Sequence, residues 1–97
     1  WDRYKQHIQA FWTTEEVSLQ DDLRDLETLN EGEKHFIKHV LAYFANSEAM
    51  INENLASRFY KEILIPEARC FISMQMLNES IHAEMYGLQR KYHYKMI

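Results

Sequence analysis

Glu79, His82 and Tyr86 are the residues of this chain whose types and spacing could do chemistry. On a helix, side chains three and four positions apart lie on one face, one above the other. A carboxylate, an imidazole and a phenol then form a column about two turns long. A carboxylate and an imidazole at this spacing can hold one metal ion together. Hard oxygen donors combined with imidazole suit iron or manganese. Helical bundles build two-metal sites from two such Glu-x-x-His pairs and two further carboxylates. This chain has one pair. Glu-x-x-His also occurs by chance on exposed helices, so the pair alone does not establish a site.

The elements that must position these residues are helices. The chain has 97 residues, at most one small domain, with only two Gly and one Pro to make tight turns. Hydrophobic residues make up 46% and charged residues 27%, which fits a folded domain and excludes a disordered one. The net charge is -4 and no basic patch stands out, which argues against nucleic acid as a partner. No apolar run approaches the roughly 20 residues that span a bilayer, so no membrane role is expected. The single cysteine, Cys70, excludes an internal disulfide and fits a reducing, cytoplasmic compartment. No signal peptide is visible, and the chain opens on Trp1 rather than Met, so its true start is expected to lie outside it.

In chain order, Tyr4, Ile8 and Phe11 recur at helical steps and predict a short helix over 1–11. Thr13 with Glu16 matches a capping box. A short helix or turn-rich connector follows around 19–28. Asn30 with Glu33 is a second capping pattern, and it opens the longest helical pattern, 31–61. Along it Ile37, Leu41, Phe44, Glu48, Ile51 and Leu55 fall in one stripe. A carboxylate within an apolar stripe is costly unless paired or metal-bound, or else it lies at the stripe's edge and reaches water. Ile63-Leu64-Ile65 interrupts the pattern. Pro66 suits a first helical turn, so a second long helix is expected over about 66–94. The short connection makes the two long helices antiparallel neighbours. Glu48 can then face Glu79 and His82.

The second long helix carries two stripes. Cys70, Met74, Leu77, Ile81, Met85 and Leu88 form an apolar one; Ala68, Ile72, Gln75, Glu79, His82 and Tyr86 form a mixed one. Polar groups kept in register beside apolar neighbours suit the interior of a bundle. Tyr86 reads as a core aromatic or, beside a redox metal, as a side chain able to lose one electron and one proton. Trp12 reads as a packing residue. His35 and His39 could bind zinc, but one face of an exposed helix explains them better. Glu53 and Glu84 read as solvated charges, and Met50, Met74, Met76 and Met85 as core filling.

Five stretches together are similar to a known family. They are Phe11-Trp12-Thr13-Thr14-Glu15-Glu16-Val17, His39-Val40-Leu41-Ala42-Tyr43-Phe44-Ala45, Asn52-Glu53-Asn54-Leu55, Glu67-Ala68-Arg69-Cys70-Phe71 and Glu79-Ser80-Ile81-His82-Ala83-Glu84-Met85-Tyr86. In order and spacing they resemble the radical-generating small subunit of class I ribonucleotide reductase, nearly end to end. The resemblance implies an all-α, ferritin-like helical bundle. Residues 1–97 would form its N-terminal half: two long antiparallel helices plus short N-terminal helices. It implies Glu48, Glu79 and His82 as metal ligands of a di-iron or manganese–iron centre. It implies Tyr86 as the radical site and Trp12 on the electron-transfer route. The implied role is to use oxygen and the metal pair to make a tyrosyl radical. The large subunit then uses that radical to make deoxyribonucleotides for DNA replication. Implied partners are that large subunit, a second small subunit in a homodimer, and the missing C-terminal half.

Two departures from the family bear on function. The family usually has Asp at the position of Glu48, and Glu occurs there in branches that assemble manganese–iron. Those branches tend to lack the radical tyrosine, whereas Tyr86 is present here. The second carboxylate, the second Glu-x-x-His helix and the C-terminal tail are absent, so the chain alone is not expected to be active. Two other readings stay open. Three ligands doubled by a two-fold axis would make a symmetric homodimeric di-metal carboxylate oxidase. Alternatively, the chain is a non-enzymatic helical interaction module.

Overall fold

Two long helices laid side by side set the shape of the molecule. A computed structural model describes residues 1–95, with side chains described through Tyr92. Its radius of gyration is 16.6 Å. A compact globule of this length would have about 12.5 Å. The longest dimension is 50 Å, close to the ~45 Å length of a 30-residue helix. The described residues form helices and turns and no strand.

Helix α1 spans Asp2–Gln9. A single 3₁₀ turn follows at Thr14–Glu16. The Thr13 N–H donates to Glu16 Oε2 at 2.6 Å, so the glutamate closes its half of the expected capping box. Helix α2 covers Gln20–Glu27, and Leu19 and Leu26 bury its inner side. Helix α3 runs over Glu31–Asn54. Asn30 caps it as expected: its Oδ1 accepts the Glu33 N–H at 2.8 Å.

The helical pattern over 31–61 is real but not uniform. Beyond Asn54 the chain widens into a π-helical turn, Leu55–Phe59, and then closes with one α-turn, α4, at Tyr60–Glu62. At Ile63 the backbone becomes extended, with φ -93° and ψ 118°. Pro66 opens α5, Pro66–Lys95. As first helical residue it lacks only an N–H that would have had no intrahelical partner. Arg69 staples the break. Its Nε donates to the Ile63 carbonyl at 2.7 Å, and its guanidinium lies 4.9 Å from the Tyr60 ring centre.

Helices α3 and α5 are antiparallel, as expected. Moving forward along α3, the partners on α5 move backward: Phe44 stacks on Tyr86, Glu48 meets His82, and Asn52 bonds Ser80. Helix α1 joins this pair through His7, whose ring lies 4.6 Å from Phe71 and whose Nδ1 is 3.1 Å from Asn78 Nδ2.

The core is thin. Leu19, Leu26, Ile72 and Met85 are its buried apolar side chains. Two packed helices cover each other on one side only, so several apolar residues stay at the surface. Met50 was expected to fill the core but is 59% exposed. Phe44, Ile51 and Leu77 are exposed as well. On α5 the deeper stripe is the mixed one, where Ile72 and Glu79 are buried. The face of α5 that meets α3 carries the polar column.

Candidate metal centre

The structure brings Glu48, Glu79 and His82 together across the α3–α5 contact. One donor atom from each lies within 4.8 Å of the others. His82 Nδ1 is 3.5 Å from Glu48 Oε1 and 3.5 Å from Glu79 Oε2. These separations are longer than typical hydrogen bonds, and one cation could lie among the three donors.

Burial makes the same point. The Glu48 side chain is 15% exposed and that of Glu79 9%. Glu48 Oε2 is buried with no hydrogen-bond partner. A buried carboxylate oxygen without a donor is unfavourable, and a cation would satisfy it. Of the two readings of Glu48, the inward-facing one holds. Glu79 is held from behind: Gln75, one turn earlier, donates Nε2–H to its Oε1 at 2.6 Å. Its other oxygen is left toward His82.

The next turn of α3 supports the same contact. Asn52 donates Nδ2–H to Ser80 Oγ at 2.9 Å, and Ser80 donates to the Met76 carbonyl at 3.0 Å. Ser80 follows Glu79 directly, so the carboxylate's backbone is tied to α3. The π turn begins three residues beyond Asn52. Such turns are frequent at functional sites.

Trp12 and Tyr86 flank the cluster. The Trp12 ring lies 6.2 Å from the His82 ring at 28°, a stacked arrangement. Tyr86 stands one turn beyond His82 and stacks on Phe44 at 5.4 Å and 28°. The packing and chemical readings of Trp12 thus fall on one contact, since the ring that packs does so on His82.

Glu84 is exposed, as expected of a solvated charge, and its Oε1 also accepts the Thr14 hydroxyl at 2.7 Å. Gln75, Asn52 and Thr14 are the supporting residues that sequence reasoning missed. Gln75 had a sequence signal, being four residues before Glu79 on the same face. Asn52 and Thr14 had none, because their partners are distant in sequence. His35 and His39 are exposed on α3 with ring centres 4.1 Å apart. Among the described residues, no third metal-binding side chain joins them.

Two helices that bring two carboxylates and a histidine together at their contact form a group that could hold a metal ion, as carboxylate-bridged helical bundles do. The sequence then assigns the family. Residues 1–92 match the sequence model of the family described as ribonucleotide reductase, small chain. The chain belongs to this family. It is 53% identical over 88 residues to the ribonucleoside-diphosphate reductase small chain of swinepox virus (strain Kasza), covering 91% of this chain and 32% of that one. The small chain of Plasmodium falciparum (isolate Dd2) is 56% identical over 88 residues, covering 91% of this chain and 25% of that one. That of Nicotiana tabacum is 53% identical over 88 residues, with 91% and 27% covered. The chain thus spans about a quarter to a third of the length of these relatives. The all-helical fold agrees with the ferritin-like bundle that the family implies.

Proposed function

We propose that residues 1–97 are one part of a ferritin-like small-chain domain and contribute one ligand set to a di-metal centre. Glu48, Glu79 and His82 would hold the metal, either as iron–iron or manganese–iron. When bound, that centre with oxygen supplies the one-electron oxidant. Tyr86, one turn from His82, would be the side chain that gives one electron and its phenolic proton to that oxidant and is left as the tyrosyl radical. Trp12 lies against the ligand His82 and gives the hole a path outward. The large subunit would receive it and reduce ribonucleoside diphosphates.

The observation that carries this reading is the buried, partnerless oxygen of Glu48 beside Glu79 and His82. The apolar residues left on the surface of α3 and α5 support the further partners: the remaining helices of the domain and a second small chain. No described helix is long and apolar enough to cross a membrane.

Substituting residues 1–97 into a full-length relative tests the reading. After ferrous iron and oxygen are added, the chimera should show a tyrosyl signal by electron paramagnetic resonance. Tyr86→Phe should abolish it. A signal that survives Tyr86→Phe would refute the assignment. For the chain alone, titration with Mn(II) should show weak binding that Glu79→Ala and His82→Ala remove. A tight two-metal site in the monomer would contradict a half-site.

A further inference from the structure

We propose that the hydrogen bond from Thr14 to Glu84 sets the Trp12 ring against His82, making Thr14 and Glu84 positioning residues for the route between them. The role of that route rests on the proposed function; the positioning itself does not.

Thr14 is 5% exposed. A buried hydroxyl needs a partner, and it has only one proton to give. Two carboxylates are near: Glu84 Oε1 at 2.7 Å and Glu15 Oε2 at 3.3 Å. The shorter contact has the length of a true O–H···O bond, so the proton goes to Glu84. That bond joins residues 70 apart in sequence, and its acceptor lies two residues beyond His82. Thr13 between Trp12 and Thr14 is extended, with φ -120° and ψ 160°. In an extended chain, residues on either side of a given one point the same way. Trp12 and Thr14 therefore face α5 together.

Among the hydrogen bonds of residues 11–16 that the structure describes, the one from Thr14 to Glu84 reaches across to α5. An aromatic stack tolerates sliding and rotation, whereas a short hydrogen bond fixes distance and angle. Upstream, α1 is held by His7 on Phe71 and Asn78. Downstream, the Thr13 N–H on Glu16 fixes the turn. The stretch between them carries Trp12, and Thr14 is its anchor on α5.

The test is the nuclear Overhauser contact between Trp12 indole protons and His82 ring protons in the 97-residue chain. Thr14→Val keeps the size and removes the hydroxyl. The ratio of displaced to stacked Trp12 should rise about tenfold, as expected for losing a bond to a charged acceptor. Thr14→Ser should restore the contact. Glu84→Ala should match Thr14→Val, and the double variant should be no worse than either, as for two residues sharing one interaction. Glu84 is exposed, so its truncation provides the measurement if Thr14→Val fails to fold. A wild-type contact in Thr14→Val or Glu84→Ala would overturn the proposal. So would failure of Thr14→Ser to restore it, since packing of the methyl would then be responsible. The full-length chimera separates the two readings. If it forms no tyrosyl signal while Thr14→Val still loses the ring contact in the 97-residue chain, the metal reading fails and the positioning stands.

Discussion

Glu48→Leu should stabilise the metal-free chain. The substitution removes a carboxylate whose Oε2 is buried without a partner. Relieving one unsatisfied buried polar group is worth about 1–3 kcal/mol. The opposing loss is the Glu48–His82 contact at 3.5 Å, whose histidine side chain is 38% exposed. A partly exposed, long ion pair contributes ~0–1 kcal/mol, and His82 keeps Glu79 and water. The midpoints of these two magnitudes, about 2 and about 0.5 kcal/mol, leave a net gain of about 1.5 kcal/mol. For a domain of this size each kcal/mol moves Tm by ~4–8 °C, so the expected rise is roughly 6–12 °C. Thermal unfolding followed by circular dichroism in EDTA measures it. Excess Mn(II) should then raise Tm of the parent chain and leave the variant unmoved, because one of three donors is gone. A variant that melts at or below the parent in EDTA would refute the reasoning, since Glu48 would then be stabilising the fold without metal.

Other substitutions test the frame around the site. Asn30→Ala removes the cap on Glu33 N–H and should lower stability by about 1 kcal/mol, measurable by urea unfolding with an unchanged m-value. Arg69→Lys loses both the planar donor to the Ile63 carbonyl and the contact with Tyr60. It should cost ~1–2 kcal/mol and speed amide exchange around 60–69 before the rest of α5. Glu15 tests the electrostatics. Bonding to its own backbone N–H, then to the Thr13 hydroxyl, holds its carboxyl below the ordinary value of 4.5. Its contribution to stability is therefore present above that value and lost as pH falls through the lower folded midpoint. A carbon-13 titration should place the folded midpoint below 4.5, and urea should bring it back up.

Much of the fold was legible because it depends on local rules. Asn30 with Glu33 marks the start of α3, and Pro66 marks the start of α5, since both act within one helical turn. The Ile63–Ile65 break was visible for the same reason. The π turn at Leu55–Phe59 was not, because its residues have no composition that distinguishes π from α hydrogen bonding. Burial was read less well. Periodicity marks a face as apolar, but whether the face is covered depends on what packs there, as Ile51 and Leu77 show.

The sequence by itself determined the candidate ligand types and their order. Glu79, His82 and Tyr86 share a helical face because 3.6 residues make a turn, whatever the rest of the chain does. The tertiary structure alone decided that Glu48 turns inward and meets them, that Gln75 takes one oxygen of Glu79, and that Trp12 lies on His82. It also decided that Thr14 donates a hydrogen bond to Glu84, 70 residues away. Those pairings come from how α3, α5 and the N-terminal segment pack. Sequence spacing says nothing about contacts across elements, because the distance between their residues is set by packing and not by the period of one helix.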